Sequence, residues 1–277
     1  MILHFPLKDV TVKKVAEPRA VVSPDYADDF WQMNQREFAM QVEGVGRYYA
    51  CDGREVEYAP VKGASRETLE LYLNGSVYGA ILHQRKILPL HGSSFVLDGK
   101  GILVCGEAGA GKSSVTASFV FNGAGFLTDD VTPMVIREGV PVIMALSDRI
   151  KLWDDTLKQL GLKKAGLRKI APDNEKYYYP VNKGETEYFP LEMVFIISTE
   201  NDSGVSSQEV TGADKFVAMR NEIYRWEYLE GMKENEKIYF RTLSVIASAV
   251  RVYDVRRSDA TGISELRETL EKIISAG

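Results

Sequence analysis

The residues best suited to chemistry lie in one glycine-rich segment, residues 106–113, which runs Gly-Glu-Ala-Gly-Ala-Gly-Lys-Ser and fits the pattern G-x-x-x-x-G-K-[ST]. Glycines let backbone N–H groups converge on phosphate oxygens, and a following helix points the positive end of its dipole at the same anion. In this pattern Lys112 reaches the β- and γ-phosphates and the Ser113 hydroxyl ligates Mg²⁺. The segment therefore predicts nucleotide binding, with an ordinary glycine turn as the alternative. The predicted phosphate-binding residues are Gly106, Ala108, Gly109, Ala110, Gly111, Lys112, Ser113 and Ser114.

Two adjacent carboxylates, Asp129 and Asp130, follow the next predicted strand. A site of this kind needs an acidic residue near Mg²⁺, and a kinase also needs a carboxylate to accept the proton of the attacking hydroxyl. Adjacent side chains of an extended chain point to opposite faces, so one carboxylate can face the metal and the other the acceptor. The alternative is a solvated loop with one helix-capping aspartate. His91, just before the strand predicted to pair with the P-loop strand, is a candidate catalytic residue, although a lone histidine is more often structural.

The elements predicted around these residues alternate between strand and helix. Apolar residues 101–105 predict a buried strand before the glycine loop, residues 112–122 a helix after it, and residues 126–128 another strand. This order is typical of an α/β fold. Further along, the pattern predicts strands at 133–137, 141–145, 191–198 and 250–255, and helices at 154–160, within 213–230 and at 263–275. Residues 164–187 are predicted to be a loop, and residues 200–212 a polar segment.

The N-terminal part of the chain has a different pattern. Prolines and glycines divide residues 1–63 into short alternating stretches, and Asp52-Gly53 is typical of a hairpin turn that needs positive φ. From Ser65, a suitable N-cap, apolar residues recur at helical spacing over about 20 residues. We predict a small β-rich N-terminal domain over residues 1–63 and an α/β domain over residues 64–277.

Composition and charge exclude several classes of protein. The chain has 277 residues, 45% of them hydrophobic and 26% charged, which is typical of a globular protein with a buried core. Its formal net charge of −5 argues against a broad nucleic-acid-binding face, and no apolar run is long enough to span a membrane. Two cysteines give no disulfide framework, and the N-terminus lacks the pattern of a signal peptide. We therefore expect a cytoplasmic protein that binds neither nucleic acid nor membrane.

In combination, these residues resemble the HPr kinase/phosphorylase family, bacterial kinases that phosphorylate a serine of a phosphocarrier protein. That family has a His-Gly pair, a strand, a G-x-G turn, a second strand, a P-loop ending in Gly-Lys-Ser and, after a helix, an Asp-Asp pair. The corresponding residues, in the same order and at similar spacing, are His91-Gly92, Gly99-Lys100-Gly101, residues 106–113 and Asp129-Asp130. The resemblance is firmest over residues 88–137 and implies an α/β P-loop kinase core, like the C-terminal domain of HPr kinase.

The flanking residues are similar to a divergent branch of this family, the HPr-kinase-like proteins of bacterial peptide-modification clusters, which include lasso-peptide kinases. The residues concerned are Leu82-His83-Gln84-Arg85, Leu88-Pro89-Leu90-His91 and Lys151-Leu152-Trp153. That branch also has a short β-rich N-terminal part, as predicted here for residues 1–63. The resemblance implies a peptide or small protein as the acceptor, with a lasso-type precursor peptide as the preferred candidate.

The resemblance also implies roles for individual residues. ATP would be the donor, Lys112 would neutralise charge on it, and Mg²⁺ would be held by Ser113 with help from Asp130 through water. Asp129 would be the base for a serine hydroxyl, and His91 would orient it or pair with it. The leading hypothesis is thus an ATP- and Mg²⁺-dependent serine kinase. A P-loop ATPase or nucleotide-sensing switch, and a non-catalytic binding module, are the alternatives, and the oligomeric state is left open.

Some features of the family are missing. The signature Leu-Glu-x-Arg-Gly is absent, which leaves the second metal carboxylate unidentified; Asp148 is a weak candidate and is more simply a turn residue. The Pro-Val segment that the family uses in phosphorolysis carries arginines, whereas here it reads Pro180-Val181-Asn182-Lys183-Gly184. We therefore expect kinase activity without an efficient reverse phosphorylase reaction.

Three further signals have both a functional and a structural interpretation. Residues 182–185, Asn-Lys-Gly-Glu, nearly match the guanine motif N-K-x-D, so a GTPase is an alternative, although no D-x-x-G motif follows the P-loop at the usual place. Basic residues between 163 and 183 form either a solvated surface or a contact for an acidic or phosphorylated partner, with Arg168 and Lys183 as candidates for a charge clamp. Aromatic residues that could stack on a base or peptide, or lie half-buried in a core, are Tyr177, Tyr178, Tyr179, Tyr224, Trp226 and Tyr228.

Overall fold

The computed structural model describes residues 3–182, 184, 186–200 and 204–276, which form both strands and helices. The strands are β1 (Thr11–Lys14), β2 (Tyr26–Ala27), β3 (Trp31–Met33), β4 (Glu37–Val42), β5 (Gly46–Cys51), β6 (Glu55–Pro60), β7 (Leu88–Leu97), β8 (Lys100–Gly106), β9 (Gly125–Thr128), β10 (Val131–Arg137), β11 (Val140–Met144), β12 (Arg149–Trp153), β13 (Arg168–Lys169), β14 (Lys176–Pro180), β15 (Tyr188–Thr199), β16 (Val205–Val210) and β17 (Arg251–Arg257). The helices are α1 (Arg66–Tyr72), α2 (Tyr78–Gln84), α3 (Lys112–Phe121), α4 (Asp154–Gln159), α5 (Ala213–Asn221), α6 (Glu234–Ala249) and α7 (Ile263–Ser275), with a π-helical turn at Leu73–Val77 and a 3₁₀ helix at Trp226–Glu230. Within these described residues, none of the helices has the length and apolar character needed to cross a membrane.

The chain groups into two compact units. The first comprises Met1–Pro89, Lys169–Asn174 and Tyr224–Arg241, and the second comprises Leu90–Arg168, Glu175–Ile223 and Thr242–Gly277. Helices α1 and α2 therefore group with the N-terminal strands. The predicted domain boundary between residues 63 and 64 stays a prediction, because a grouping by contacts does not establish which segment folds independently.

The sheet of the first unit has the strand order β1–β6–β5–β4–β3–β2. Strands β2 to β6 pair antiparallel with their sequence neighbours, as the alternating pattern predicted, whereas β1 runs parallel to β6. The turn between β5 and β6 contains Asp52 and Gly53 at φ of 53° and 65°, and the N–H of Arg54 donates to the carbonyl of Cys51 at 3.0 Å. Positive φ at both central residues of the turn from Cys51 to Arg54 confirms the predicted hairpin.

The predicted helix after Ser65 is confirmed, with one local difference. The Ser65 hydroxyl accepts a hydrogen bond from the backbone N–H of Thr68 at 3.0 Å and so caps the helix. Helical structure then continues from α1 to α2 through the π-helical turn. In that turn the Asn74 side chain donates to the carbonyl of Glu70 at 2.7 Å. A side-chain donor at this carbonyl competes with the regular backbone ladder, which accounts for the local widening.

The main sheet of the second unit has the order β11–β10–β7–β8–β15–β17–β16, and β9 pairs with β7. Strands β8, β15 and β17 are parallel to one another, whereas β7 is antiparallel to β8 and β9. The carboxyl ends of β8, β9, β15 and β17 therefore meet at one edge of the sheet, where ligand sites of α/β proteins usually lie. This edge holds the glycine loop after β8, His91 of β7, the two aspartates after β9 and Arg257 of β17.

Helix α3, which follows the glycine loop, packs on both of its sides. One side joins a cluster with the main sheet and α7, and its buried members include Phe95, Phe119, Phe195, Leu266 and Leu270. The other side joins a smaller cluster with β12, β14 and α4, formed by Ala117, Phe126, Ile150, Leu152, Leu157 and Tyr177. Burial of one large apolar side chain stabilises a fold by about 1.5–3 kcal/mol, so these contacts fix α3 and the loop before it.

Three segments differ from the structure predicted for them. Residues 164–187, predicted as a loop, contain β14, which pairs antiparallel with β12. The polar segment 200–212 contains β16, an edge strand paired with β17. Helix α6 was not predicted, because aromatic and β-branched residues obscure its helical period. Strands β14 and β16 are stabilised by their hydrogen bonds to neighbouring strands, and helix α6 by tertiary packing. The local sequence pattern reveals neither kind of contact.

Candidate functional site

The glycine-rich loop between β8 and α3 adopts a conformation that favours glycine. Gly106, Gly109 and Gly111 have φ of 123°, 88° and 106°, which residues with a side chain rarely adopt. At Gly106 a Cβ atom would also lie 2.0 Å from the carbonyl oxygen of Ile197. Helix α3 begins directly after Gly111, and no side chain of the described residues caps its N-terminus. Its first N–H groups and the positive end of its dipole are therefore oriented as an anion site requires.

Lys112 folds back over the loop. Its ammonium donates to the carbonyl oxygens of Gly106 at 2.7 Å and Glu107 at 3.0 Å. An ammonium has three N–H bonds, so this arrangement accommodates an anionic oxygen as a further acceptor. Burial lowers the pKa of Lys112 below its ordinary value, because a low-dielectric environment disfavours the charged form. An anion bound in the loop would compensate for that cost.

Asp129 lies directly against the predicted metal ligand. One of its carboxylate oxygens accepts a hydrogen bond from the Ser113 hydroxyl at 2.7 Å. The other accepts from the backbone N–H of Lys151 at 2.8 Å, and Asp129 is only 9% exposed. Both oxygens of Asp129 are thus fixed beside Ser113 at the start of α3.

Asp130 points elsewhere, and its backbone is in the left-handed region at φ 74°. Its carboxylate accepts from the Lys151 ammonium at 2.7 Å, and the other oxygen lies 3.8 Å from Nε2 of His91. Burial disfavours the charged form, but the Lys151 ammonium outweighs it and holds the pKa of Asp130 well below its usual range. A non-glycine residue at positive φ is uncommon and clusters at functional sites. The two adjacent carboxylates therefore contact different groups, the Ser113 hydroxyl and the Lys151 ammonium, but not through the extended backbone that the prediction assumed.

His91 stands beside Asp130 at the same edge of the sheet. Its backbone N–H donates to the carbonyl of Glu222 at 2.7 Å, which fixes the start of this part of β7. Burial, assisted by the positive charge of Lys112, lowers the pKa of His91 below its ordinary value. The imidazole is therefore neutral at pH 7, and its 3.8 Å separation from Asp130 is longer than a hydrogen bond.

These side chains open into a cleft of about 190 Å³, which we call the phosphate cleft. Its lining consists of His91, Ala108, Gly109, Gly111, Lys112, Ser113, Ser114, Asp130, Trp153 and Lys176. Three predicted site residues lie just behind this lining: Gly106, Ala110 and Asp129. The structure thus brings the whole predicted set together, while the role of each residue stays a prediction.

Sequence reasoning missed several residues that support the site. Lys151 pairs with Asp130, and Trp153 and Lys176 line the phosphate cleft. Arg257 donates from Nε to the carbonyl of Ala110 at 2.7 Å and from Nη2 to that of Gly109 at 3.3 Å. The available signal for Arg257 was its place at the end of a predicted strand, where α/β folds build their sites.

Glu222 is a further carboxylate behind the loop. It accepts a hydrogen bond from the N–H of Gly106 at 3.2 Å. Burial raises the pKa of Glu222 above its ordinary value. The Glu222 carboxylate thus holds the N–H of Gly106, the first glycine of the loop.

Two further polar candidates, Asp148 and Arg168, lie outside the described lining of the phosphate cleft. Asp148 is exposed and outside its described lining, which favours the turn interpretation. The guanidinium of Arg168 lies 5.4 Å from the centre of the Tyr178 ring. Lys183 lies outside the described residues, as does Glu185, the last residue of the near-match to the guanine motif.

The aromatic candidates belong mainly to cores. Tyr177 and Tyr178 are 4% and 6% exposed, and Tyr179 contacts the ring of Phe121. In the first unit, Tyr228 is fully buried, whereas Trp226 is 57% exposed. The structural interpretation therefore fits most of this set better than stacking on a base.

The donor set near the loop suits Mg²⁺ bound together with phosphate. Among the described residues there is no cluster of three or more His, Cys, Asp or Glu side chains that could hold a metal by itself. Mg²⁺ usually keeps water and takes only one or two protein ligands together with substrate phosphates. Ser113 and Asp129, which lie in contact beside an anion-oriented loop, fit that pattern.

Comparison with models of known protein families gives no match. No curated protein matches the chain either. Among solved structures, the chain is similar to the Hpr(Ser) kinase/phosphatase from Coxiella burnetii, with a TM-score of 0.33 and 12% sequence identity, over 68% of this chain and 99% of that one. This likeness is too distant to carry an inference about function, which therefore has to come from the site itself.

Proposed function

We propose that this protein is a P-loop kinase that transfers the γ-phosphoryl group of ATP, in the presence of Mg²⁺, to a serine hydroxyl of a peptide or small protein. The observation that carries the proposal is one cleft whose lining includes both the anion-oriented glycine loop and a carboxylate that Lys151 keeps ionised. Lys112, Ser113 and Asp130 all line this cleft. A phosphoryl-transfer site needs both halves, positive groups for the phosphates and a base for the acceptor.

On the phosphate side, Lys112 and the first N–H groups of α3 would bind the β- and γ-phosphates. Ser113 would hold Mg²⁺, and Asp129, 2.7 Å from the Ser113 hydroxyl, would hold the metal's water shell. The metal would neutralise charge that develops on the phosphate oxygens. Arg257 holds the carbonyls of Ala110 and Gly109. Because these carbonyls are turned towards Arg257, the N–H groups of the loop are left to face the phosphates.

On the acceptor side, Asp130 is the better placed base. As the serine oxygen forms its bond to the γ-phosphorus and the bond to the β–γ bridging oxygen breaks, Asp130 would take the serine proton. ADP then leaves with the bridging oxygen. Lys151 would keep the carboxylate ionised until the transfer, and neutral His91 would orient it. This exchanges the roles that the family resemblance implied, with Asp129 as base and Asp130 at the metal.

The choice of acceptor rests on the sequence resemblance. Serine specificity and a lasso-type precursor peptide remain proposals on that basis, and a cytoplasmic location remains a proposal from the composition of the chain. Both cysteines, Cys51 and Cys105, are buried free thiols, which agrees with a reducing compartment.

The direct test is a phosphotransfer assay with candidate serine peptides, MgATP and the full chain. We expect a phosphorylated peptide and an equal amount of ADP by mass spectrometry, and no product with Lys112→Ala. ADP formed without any phosphorylated acceptor would instead favour an ATPase or nucleotide-sensing switch. Failure of MgATP to bind would leave only the non-catalytic alternative.

Loss of the Arg257 side chain should weaken MgATP binding about tenfold, or ~1.4 kcal/mol. The reason is that Arg257→Ala removes two donors that hold the Ala110 and Gly109 carbonyls, and hydrogen bonds from a charged group contribute about 1.5–3 kcal/mol each. Isothermal titration calorimetry measures the effect. Arg256→Ala is the matched control. Arg256 is the neighbour of Arg257 in the sequence, and its side chain is exposed and pairs with Asp254. Equal affinities of the two variants would show that Arg257 does not shape the loop.

A further inference from the structure

The small sheet that contains β12 and β14 packs one of its faces in a core. Ile150, Leu152 and Tyr177 belong to the buried cluster beside α3. Side chains alternate along a strand, so the residues between these three lie on the opposite face, which we call the basic face. The basic face comprises Arg149, Lys151 and Trp153 of β12, Lys176 and Tyr178 of β14, and Arg168 of β13, which contacts Tyr178.

Positive charge dominates the basic face, because four of its six side chains are cations and none is an acid. Two of the cations, Arg149 and Arg168, approach the same aromatic ring. Their guanidinium carbons lie 4.2 and 5.4 Å from the centre of the Tyr178 ring, within the range of a cation–π contact. A stacked guanidinium is already oriented, and its planar set of N–H donors matches a carboxylate better than a lysine ammonium does. The pair of arginines is therefore suited to an acidic side chain.

The ladder between β12 and β14 sets the order of the groups on the basic face. Trp153 is opposite Lys176, and Lys151 is opposite Tyr178. Trp153 and Lys176 line the phosphate cleft, so the face leads from that cleft to Lys151 and then to Arg149. Arg149 precedes Lys151 by two residues, which is about 7 Å along the strand. Two residues of an extended peptide span about the same distance.

We propose that the basic face binds an acidic stretch of the acceptor peptide, with Arg149 and Arg168 holding a carboxylate about two residues from the serine. The proposal rests on the proposed function, in which Asp130 is the base at the serine, because Asp130 pairs with Lys151 of this face at 2.7 Å. Opposite charge attracts such a peptide, and the stacked arginines fix its register. The consequence is a substrate class: the enzyme prefers a serine in an acidic context to one among neutral residues.

The test compares the Kd values of two short synthetic peptides, by calorimetry on the full chain with Mg²⁺ and the non-hydrolysable ATP analogue AMP-PNP. Each peptide has one central serine. The first carries glutamate two positions before and two positions after it, and the second carries glutamine there, which has the same shape without the charge. Wild type should bind the glutamate peptide about tenfold more tightly, since hydrogen bonds between charged groups are the stronger ones. Arg149→Gln and Arg168→Gln should each reduce that preference to about threefold or less, and the double variant should abolish it.

Arg137→Gln is the matched control. Its guanidinium carbon also lies over a tyrosine ring, 4.0 Å from the centre of Tyr188, but Arg137 is on β10 of the main sheet. This variant should therefore keep the full preference for the glutamate peptide. MgATP affinity should be the same in all of these variants, because Arg137, Arg149 and Arg168 are outside the described lining of the phosphate cleft.

The outcomes separate this proposal from the proposed function. If wild type binds the two peptides equally or binds neither, or if both arginine variants keep the full preference, the basic face does not select acidic peptides. Transfer of phosphate from MgATP to both peptides with equal efficiency would refute the acidic preference and leave the proposed function intact. Tight binding of the glutamate peptide through the two arginines, without any transfer from MgATP, would support the basic face as a peptide site and refute the kinase proposal.

Discussion

Asp130→Asn should lower the rate constant for phosphoryl transfer about 10²–10⁴-fold, the usual contribution of a general base, while the Kd for MgATP changes little. The Asp130 carboxylate opens into the phosphate cleft and is paired with the Lys151 ammonium at 2.7 Å. Asparagine keeps the shape of the side chain but cannot take the proton of the acceptor. Single-turnover assays at saturating MgATP isolate this step from nucleotide binding.

Asp129→Asn should give the opposite pattern. Its carboxylate is held against the Ser113 hydroxyl at 2.7 Å and the N–H of Lys151 at 2.8 Å. Loss of its charge should raise the Mg²⁺ concentration needed for nucleotide binding, and excess Mg²⁺ should restore much of the transfer rate. A Mg²⁺ titration of MgATP affinity measures this effect. Asp148→Asn, which removes an exposed carboxylate outside the described lining of the phosphate cleft, is the matched control.

The two variants decide between the roles implied by the family resemblance and those favoured by the contacts. If Asp129→Asn abolishes transfer at saturating Mg²⁺ while Asp130→Asn mainly weakens Mg²⁺ use, Asp129 is the base and the exchange proposed here is wrong. Full activity of both variants would remove the carboxylates from the mechanism altogether. Either result leaves the glycine loop as the proposed nucleotide site, because the backbone conformation of the loop does not depend on these carboxylates.

The parts of this fold that were predictable from sequence have strong local determinants. The loop 106–113, the hairpin at Asp52-Gly53 and the helix after Ser65 each depend on backbone preferences that neighbouring residues encode. The strands β8 and β15 contain apolar runs, residues 101–105 and 193–197, and the aspartates follow a strand whose direction the chain order fixes. These same features placed His91, Lys112 and Asp130 at one edge of the sheet.

What could not be predicted depends on contacts between distant parts of the chain. Strand β16 is polar and exposed, and only its ladder with β17 makes it a strand. Lys151 is one of many lysines in the sequence, and its importance follows from its contacts with Asp129 and Asp130, about 20 residues earlier in the chain. The separation of Asp129 and Asp130 was predicted from an extended chain, whereas the backbone at Asp130 is left-handed at φ 74°. Sequence reasoning has no local signal for that conformation at an aspartate.

A fully buried histidine in the first unit should make the protein sensitive to acid. His83 lies on α2, with Nε2 at 2.9 Å from the carbonyl of Tyr224 and Nδ1 at 3.1 Å from the Tyr239 hydroxyl. Since a carbonyl only accepts, Nε2 carries a proton, while Nδ1 lies beside the Tyr239 hydroxyl, which donates to the carbonyl of Ile87 at 3.0 Å. Burial accordingly lowers the pKa of His83 from 6.5 to about 4.

This shift fixes the sign and size of the pH dependence. Between pH 6.5 and about 4 the unfolded chain binds a proton at His83 that the folded protein does not, so stability falls as the pH is lowered through this window. At 1.36 kcal/mol per pH unit, His83 should cost the folded protein about 3 kcal/mol at pH 4 relative to pH 7. Carboxylates add their own pH dependence, which a variant without the imidazole retains.

His83→Gln provides that comparison, because glutamine can donate and accept hydrogen bonds but does not titrate. We expect the variant to be less stable than wild type at pH 7, where it loses part of the packing around Tyr228 and Tyr239. Its free energy of unfolding, from urea titrations, should then fall less steeply with acid, so that the two proteins converge towards pH 4. Parallel pH profiles would mean that His83 titrates equally in the folded and unfolded states, and that the buried contacts of its ring do not keep it neutral.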